Sequence, residues 1–452
     1  MKIYFNPRLA SGWIYIVITS VGGAALVAIV SRYLPPAVAG SWFTLQSLAA
    51  FVYLGDLGFT VTGARQVAHT FAARPDELGQ WKVAPGMVPM RHGLDGVSDV
   101  NWILQYLQRY MVAVACLIAT ILSVFWFSTH VRNDGGHTIV IAWILLICAT
   151  LWRLDAIRFQ SLLEGIGRVD VERLTVAFTY LFAYIFAVGT VILTRSLVAT
   201  ALIWMIGMAG ARAILAIVFR KVIGKLPTPS VHLKPKARQL LKISLPVWIV
   251  SIGAAATIYA QAPIINMFLG AAAIPGYYFA ARIINTIGTG LGVFVQADRA
   301  LFTQDLAAGD VTSAYRRLKR GLLFVGIGCL VMMIGFIAVG KWIVVTWIKQ
   351  RDAIDMTTIV VLAVNGALTT FMGQFGQFVL ATGKNPFVKS VLLSGASNII
   401  FLFIFVPRLG VFGAAVAAIC AGLFTSYWFN AYVGIKLIRS LKRKISSSLL
   451  VT

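Results

Sequence analysis

Acidic residues are scarce in this sequence, which holds 15 Asp and Glu residues against 39 Lys and Arg residues. Charged residues of all kinds make up only 12% of the chain, whereas hydrophobic residues make up 59%. Soluble globular proteins carry about twice that share of charged residues. A chain so poor in charge is not an ordinary water-soluble domain, and the lipid bilayer is the solvent that suits it.

Cysteine and histidine are also rare. The four cysteines (Cys116, Cys148, Cys329 and Cys420) are isolated and fall inside long apolar runs, which excludes a disulfide framework and a thiolate metal site. The five histidines are scattered without ligand spacing. We therefore predict no metal site and no cofactor, and the residues leave coupling to protons or sodium ions open.

Long apolar runs dominate the rest of the chain. A transmembrane helix needs roughly 20 apolar residues, and twelve stretches meet that length. We predict an all-α integral membrane protein with about twelve transmembrane helices. The stretches cover residues 12–31, 38–60, 107–128, 138–158, 171–193, 198–219, 244–268, 272–296, 320–346, 357–381, 387–406 and 411–436.

The net charge of +24 follows membrane topology and does not indicate a nucleic-acid partner. With the N-terminus in the cytoplasm, thirty Lys and Arg residues fall in cytoplasmic segments and seven in external ones. This asymmetry is the positive-inside rule. It predicts a multi-pass protein of the cytoplasmic (inner) membrane with both termini in the cytoplasm. The same charges would attract anionic membrane lipids, which we expect as partners.

The chain divides into two halves of six helices. Residues 220–242 carry three prolines and seven cations, which is typical of a cytoplasmic linker. The predicted parts are an N-terminal lobe (1–219), this basic linker (220–242), a C-terminal lobe (243–438) and a basic cytoplasmic tail (439–452).

The two halves also resemble each other. The motif "GSWF" (Gly40 to Phe43) opens the second helix, and "GYYF" (Gly276 to Phe279) opens the eighth. Two more pairs of short segments recur in the same order. We interpret them as a parallel repeat, which would leave a substrate cavity between the lobes near the middle of the membrane. The alternative is that glycine–aromatic pairs at helix starts serve only as interfacial anchors.

An arginine interrupts the eighth apolar stretch, where an ionised side chain costs roughly 2.5 kcal/mol or more. Arg282 shares a helix face with Asn285, Thr286 and Thr289, since positions i, i+3, i+4 and i+7 lie together. A polar stripe of this kind favours a protein- or water-lined cavity. A snorkelling side chain and a structural ion pair are the alternatives.

Helices four and six carry further charges. Arg153, Asp155 and Arg158 cluster at the end of helix four, where Asp155 and Arg158 are spaced to pair. An ordinary basic helix end is the alternative. Arg212 in helix six is flanked by small residues that permit close packing. Its position is compatible both with a cavity and with a helix interface.

The remaining polar groups inside the spans are mostly neutral. Asp56 ends helix two, where it could cap a helix, pair with Arg65, or couple transport to a cation or proton. Helix ten carries Asn365 and Gln377 on a polar stripe with steps of four residues.

Arginine recognises phosphate bidentately, and neutral amides and hydroxyls suit sugars. A cation pump would instead need buried carboxylates. The residue types therefore favour a phosphate-bearing, sugar-like anion as the cargo.

Three segments resemble a known family. "RYLPPAVAGSWFTLQSLAAFVYLGDLGF" (Arg32 to Phe59) and "IPGYYFAARIINTI" (from Ile274) resemble Wzx-type O-antigen and exopolysaccharide flippases. "FVPRLGVFGAAVAAICAGLF" (from Phe405) resembles the closing motif of the wider multidrug/oligosaccharidyl-lipid/polysaccharide exporter superfamily, which includes lipid II flippases. An insertion at 79–104 departs from the family pattern.

This resemblance implies a two-lobed transporter that is not an enzyme. It would flip an undecaprenyl-pyrophosphate-linked oligosaccharide from the inner to the outer leaflet by alternating access, with Arg282 and Arg153 matching the family's cationic cavity residues. A polysaccharide polymerase and chain-length machinery would be further partners. The predicted substrate-binding residues are Arg282, Asn285, Thr286, Thr289, Arg153, Arg212, Asn365 and Gln377, and the predicted coupling or gating residues are Asp56, Asp155 and Arg158.

Other functions stay open. A multidrug or organic-cation antiporter of the same superfamily would need a buried carboxylate in the N-terminal lobe, where only Asp56 qualifies. A lipid II flippase would share the phosphate and sugar chemistry. A membrane polymerase or ligase is disfavoured because the predicted external loops are short.

Overall fold

The computed structural model describes residues 7–72, 87–130, 136–307, 310–350, 353–382 and 386–449. The regular structure within these ranges is helical, and they contain no strand. The helices are α1 (Pro7–Tyr33), α2 (Pro36–Val52), α3 (Phe59–Ala72), α4 (Gly93–His130), α5 (Gly136–Gly165), α6 (Val169–Thr194), α7 (Leu197–Ile223), α8 (Lys234–Tyr259), α9 (Gln261–Leu269), α10 (Ile274–Ala307), α11 (Val311–Ile348), α12 (Met356–Ala381), α13 (Val388–Ala421) and α14 (Tyr427–Leu449).

All twelve predicted spans fall on these helices. Ten segments of the described chain are long and apolar enough to cross a membrane. The last of them runs for 56 residues and is broken inside α13 at Gly410, so at 1.5 Å per residue it is long enough (~84 Å) for two crossings. The remaining predicted span (272–296) lies on α10, which is not among these ten segments of the described chain. Only 22–56% of each apolar window is buried inside the protein, so lipid must cover the rest. The protein is therefore a multi-pass membrane protein.

Two polar breaks are shorter than the sequence suggests. Hydropathy alone predicts polar breaks over residues 62–106 and 298–319, whereas α3 continues to Ala72 and α10 to Ala307. A polar helix that projects beyond the membrane reads as a loop when only hydropathy is considered. Residues 79–86 of the insertion and residues 450–452 of the tail lie outside the described ranges.

The helices form two compact units. Unit 1 comprises Met1–Leu26 and Thr44–Ile252. Within it α5 packs against α3 and α7, and α7 packs against α6. Trp143 of α5 is buried, and its indole N–H donates to the Ser123 hydroxyl of α4 over 2.7 Å. These contacts make α5 the central helix of unit 1.

The linker between α7 and α8 is tied to the start of α4 by a cluster that we call the linker clamp (Arg91, Asp99 and Ser230). The fully buried carboxylate of Asp99 accepts hydrogen bonds from the Arg91 guanidinium at 2.6 and 2.9 Å. It also accepts from the Ser230 backbone N–H and hydroxyl at 2.7 and 2.8 Å. The hydrogen bond to Asp99 raises the pKa of the Arg91 guanidinium. The clamp gives part of the 79–104 insertion a structural role, because it holds the linker against unit 1.

Unit 2 comprises Val27–Phe43 and Gly253–Thr452. Helices α10, α11 and α12 pack against one another around Val295, Phe302 and Phe378. These units group segments by contact, whereas the predicted lobes (1–219 and 243–438) follow chain order, and the lobe limits stay a prediction.

The glycines of the two repeated motifs make similar close contacts inside unit 2. A Cβ on Gly40 would overlap the carbonyl oxygen of Ala271, and a Cβ on Gly276 would overlap that of Ala353. Each glycine therefore allows a helix to approach a loop backbone more closely than a larger residue would. The glycine–aromatic motif has a packing function in both halves, in addition to any role as an interfacial anchor.

Candidate functional site

A polar cavity of about 140 Å³ lies inside unit 2, and we call it the unit 2 cavity. Helices α8 to α10 and α12 to α14 contribute its walls. Nine of its sixteen lining residues are polar and uncharged, and none of the sixteen is charged. The polar members are Thr257, Gln261, Tyr277, Asn285, Asn365, Thr369, Ser394, Ser426 and Tyr427.

One wall of the cavity is organised by Tyr427, which begins α14 after a π-helical turn over Gly422–Ser426. Its hydroxyl donates to the Asn365 side-chain oxygen at 2.6 Å. Because that bond uses the only proton of the phenol, the Thr369 hydroxyl must donate to Tyr427, over 2.7 Å. Single π-helical turns occur frequently at functional sites. Here the turn places a tyrosine where it fixes two side chains of α12.

The opposite wall is formed where α8 ends and α9 begins. The buried Tyr277 hydroxyl donates to the Gln261 side-chain oxygen at 3.0 Å. The Asn398 amide donates to the backbone carbonyls of Ala256 and Thr257 at 3.2 and 3.3 Å. Irregular backbone at membrane depth is tolerated where protein groups satisfy it. Asn398 thus supplies a donor to two backbone carbonyls at the end of α8, and Tyr277 holds the first side chain of α9.

The structure places only part of the predicted stripe on α10 at this cavity. Asn285 lines it, whereas Arg282 and Thr286 do not. Thr286 lies about 100° around the helix from Asn285, which turns it to another side. The Thr289 hydroxyl donates to the Asn285 backbone carbonyl at 2.8 Å. The stripe is therefore divided, because Asn285 lines the cavity and Arg282 and Thr286 do not.

The polar residues of the stripe that do not line the cavity include the ones with unsatisfied side-chain atoms. The Arg282 Nε and the Thr286 hydroxyl are buried, and neither has a hydrogen-bond partner within the described residues. On α12, Asn365 lines the cavity as predicted. Gln377 lies twelve residues further along α12, about 18 Å away, and does not line it.

In unit 1, Arg153 and Asp56 lie near the same aromatic residue. The exposed Arg153 guanidinium lies over the Tyr53 ring, 4.2 Å from its centre, which is a cation–π geometry. Asp56 accepts hydrogen bonds from the backbone N–H and hydroxyl of Thr60 at 3.0 and 2.9 Å. Asp56 therefore caps the start of α3.

Among the described residues Asp155 forms no ion pair with Arg158, although the two side chains interact electrostatically. Asp155 instead accepts hydrogen bonds from the guanidinium of Arg212 on α7 and the amide of Gln108 on α4. A pair three residues apart on one helix is worth only about 0.2–0.5 kcal/mol, so two partners from neighbouring helices displace it. The Arg158 Nε is buried and has no hydrogen-bond partner in the described part of the chain.

Seven polar residues of the cavity were not among the predicted site residues, namely Thr257, Gln261, Tyr277, Thr369, Ser394, Ser426 and Tyr427. Tyr277 belongs to the repeated glycine–aromatic motif, which was read as a helix start. Tyr427 follows Thr425 and Ser426 in an otherwise apolar helix, and that polar run is the only sequence signal for it. The π-helical turn that places Tyr427 beside Asn365 cannot be predicted from a sequence pattern.

The chemistry of the unit 2 cavity is that of a neutral hydrogen-bonding site. Amides, hydroxyls and phenols line it, and no carboxylate does. Its volume would hold about four or five water molecules. Within the described ranges no group of three or more His, Cys, Asp or Glu side chains could hold a metal ion. The cavity can therefore bind water or hydroxyl-rich groups through neutral hydrogen bonds.

Comparison with known proteins gives the fold. No protein-family model matches the chain, and no curated protein matches it by sequence. Several solved structures are similar in fold. An inward-facing multidrug resistance MATE family transporter of the MOP superfamily aligns with a TM-score of 0.64 and 14% identity, covering 96% of this chain and 99% of that one.

Two further structures of this kind are similar. The lipid II flippase MurJ, in an inward closed conformation, aligns with a TM-score of 0.70 and 12% identity, covering 98% of this chain and 90% of its own. A MOP superfamily transporter from Pyrococcus furiosus aligns with a TM-score of 0.63 and 12% identity, covering 96% of this chain and 94% of that one. The chain has the two-lobed, all-helical fold of MOP superfamily transporters over nearly its whole length.

Proposed function

We propose that this protein is a transporter that flips an undecaprenyl-pyrophosphate-linked oligosaccharide between the leaflets of the cytoplasmic membrane. The fold supports transport, since the solved structures that share it are transporters and a flippase. The cargo is proposed from the residue types inside the spans and from the family resemblance in the sequence.

The observation that carries the proposal is the state of Arg282. Its Nε is buried inside the apolar helix α10 and lacks a hydrogen-bond partner among the described residues. An arginine in a membrane span is normally paired, because leaving it unpaired is costly. A pyrophosphate would supply the missing acceptor through charge-assisted hydrogen bonds. Arg282 is therefore the residue we assign to the anionic part of the cargo.

The neutral polar groups of the cavity and the contacts of the carboxylates also support a pyrophosphate-linked glycan as the cargo. The unit 2 cavity offers amides and hydroxyls that suit sugar hydroxyls, with Asn285 and Asn365 among them. Of the two acidic side chains predicted inside the spans, Asp56 caps α3 and Asp155 is paired with Arg212. An organic-cation antiporter would need a carboxylate that is available to its substrate. Both predicted carboxylates are engaged in structural contacts.

We further propose that the transport cycle is one of alternating access. Arg153, which is exposed over the Tyr53 ring, would be the cationic contact of unit 1, and Arg282 that of unit 2. Part of the binding energy then comes from Arg282, whose Nε lacks a protein acceptor among the described residues. Asp56 could act in coupling only if Thr60 released it, since that residue holds it with two hydrogen bonds.

The test is surface-glycan production in a strain whose chromosomal gene is deleted. Arg282→Ala should abolish surface glycan while the protein stays at normal membrane level, because the guanidinium is the anion contact. Arg282→Lys should restore it partly, since lysine keeps the charge but lacks the planar fork. Lys341→Ala is the matched control, because Lys341 is exposed on α11. Full glycan production by Arg282→Ala would remove this residue from the mechanism.

A further inference from the structure

A second pocket lies on unit 1 and has the opposite character to the unit 2 cavity. It has a volume of about 520 Å³ and is formed by α4, α5 and α7. Three arginines and one aspartate dominate it, so we call it the arginine pocket. Its lining residues are Gln105, Gln108, Arg109, Val112, Asp155, Arg158 and Arg212.

The charges of the arginine pocket do not cancel. Asp155 is paired with Arg212, and the two side chains are 18% and 33% exposed. Arg158 and Arg109 form no ion pair with any described residue, and the Arg158 Nε is buried without a hydrogen-bond partner. Asp155 also interacts electrostatically with Arg158, so three guanidinium groups share one carboxylate and the charged side chains of the pocket sum to +2. Arginines arranged in this way are a binding site for phosphate or carboxylate groups.

The surface beyond the pocket is apolar. Positions three or four residues apart share a helix face, and the face of α5 that carries Asp155 and Arg158 continues through Leu151 to Ile144 and Ile141. Ile144 is 52% exposed and Ile141 is 49% exposed. An exposed apolar stripe of a membrane protein is covered by lipid tails. The arginine pocket thus opens onto surface that suits a hydrocarbon chain.

The depth of the pocket also fits a lipid headgroup. Helix α5 has 30 residues and is ~45 Å long, which exceeds the ~30 Å hydrocarbon core by about 7 Å at each end. Arg158 lies seven residues before the end of α5, about 10 Å along the axis. It is therefore close to the boundary between tails and headgroups, at the end of unit 1 where many Lys and Arg residues lie.

We propose that the arginine pocket binds the phosphodiester headgroup of an anionic phospholipid. The lipid tails would lie along the exposed apolar face of α5 that includes Ile144 and Ile141. Arg109 and Arg158 contact the phosphate. Arg212 is a positioning residue, held by Asp155, and the amides of Gln105 and Gln108 contact headgroup oxygens. Its lining residues belong to unit 1 and are not among the residues assigned to the cargo above, so this site for membrane lipid goes beyond that cargo.

Energetics favour an occupied pocket. A buried polar atom without a partner costs about 1–3 kcal/mol, and more when it is charged. A phosphate oxygen at Arg158 would remove that cost by accepting from the guanidinium. A neutral glutamine at position 158 would remove it in a different way, by removing the charge. The two cases can be distinguished by adding lipid, because an anionic lipid should stabilise the wild-type protein more than the Arg158→Gln variant.

The experiment uses the full-length protein, purified in a neutral detergent. Bound lipid is measured by native mass spectrometry, and thermal unfolding is followed during titration with phosphatidylglycerol, phosphatidylcholine or inorganic phosphate. We expect phosphatidylglycerol to bind and raise the unfolding temperature, and the other two to have little effect. Arg158→Gln should weaken phosphatidylglycerol binding about tenfold, the loss expected for one charge-assisted hydrogen bond, and should be no less stable than wild type in lipid-free detergent.

The control is Arg195→Gln, which removes the same charge from an exposed position after α6. It should bind phosphatidylglycerol as wild type does. If Arg158→Gln folds poorly, Arg109→Gln tests the same site from an exposed position. Unchanged binding in whichever of these pocket variants folds would overturn the proposal. Equal binding of phosphatidylcholine would overturn the phosphate-charge assignment, and an equal shift with inorganic phosphate would overturn the lipid assignment.

Discussion

Arg282 and Arg158 share one property at the scale of single residues. Each has a buried guanidinium Nε that lacks a hydrogen-bond partner in the described chain, one on α10 of unit 2 and the other on α5 of unit 1. Asp56 and Asp155 show the reverse, since both accept hydrogen bonds from protein donors. Of these four side chains, the two arginines each keep an unsatisfied N–H group, whereas the two carboxylates have protein partners.

A prediction at this scale concerns Tyr427, which bonds both Asn365 and Thr369. Tyr427→Phe keeps the ring and removes the hydroxyl, so the Asn365 oxygen loses its donor. We expect the free energy of unfolding in detergent to fall by about 1–3 kcal/mol, the cost of leaving a buried polar atom unpaired. Denaturant or thermal unfolding of the purified variant measures this loss.

The matched control is Tyr432→Phe on the same helix, because Tyr432 is 59% exposed. It should unfold as wild type does. If Tyr427→Phe were as stable as wild type and equally active, the hydrogen-bonded wall of the unit 2 cavity would have no importance for the fold.

At the scale of elements, the linker clamp is the feature with the clearest consequence. Asp99 at the start of α4 holds Ser230 in the linker through two hydrogen bonds, and Arg91 pairs with the same carboxylate. In addition, the Ser98 hydroxyl donates to the Pro227 carbonyl at 2.5 Å. The linker is therefore fixed to unit 1 and is not a free tether.

Breaking the clamp should release the linker. Asp99→Ala leaves two Ser230 donors without their acceptor, which costs about 1–3 kcal/mol for a buried group. The lost pair with Arg91 adds little, because the Arg91 side chain is 39% exposed and water can solvate its charge. We expect trypsin to cleave after the exposed Lys225 much faster than in wild type. The readout is the rate at which two fragments appear when the protein in liposomes is treated with trypsin.

Asp95→Asn provides the comparison for this experiment. Asp95 also contacts Arg91, but over 3.5 Å and with its side chain 55% exposed, so its contribution should be small. Cleavage of Asp95→Asn should match wild type. Equal cleavage of Asp99→Ala and wild type would show that the clamp does not restrain the linker.

Helical spans could be predicted from sequence because they depend on composition over about twenty residues, and each of the twelve predicted stretches lies on helical structure. The ends of α3 and α10 could not, because polar helix and polar loop have the same hydropathy. The site was predictable only in part. Asn285 and Asn365 followed from helix periodicity, whereas Tyr427 depends on a π-helical turn, and the partner of Asp155 comes from α4 and α7 through tertiary packing.

At the scale of the whole molecule, the fold of MOP superfamily transporters extends over nearly the entire chain. Each unit contributes a distinct chemistry: unit 1 holds the linker clamp and the arginine pocket, and unit 2 holds Arg282 and a neutral polar cavity. A pyrophosphate-linked glycan needs both a cationic contact and neutral hydrogen bonds. The combination in unit 2 is the basis for the proposed cargo.

Transbilayer movement of the cargo itself is the most direct test of this account. The protein would be reconstituted in liposomes with a fluorescent polyprenyl-pyrophosphate-linked sugar, and a membrane-impermeant reductant would report which leaflet holds the probe. We predict that wild type and Lys341→Ala expose the inner-leaflet probe to the reductant, while Arg282→Ala does not. Probe that stays as protected with wild-type protein as in protein-free liposomes, or equal exposure with Arg282→Ala, would contradict the account.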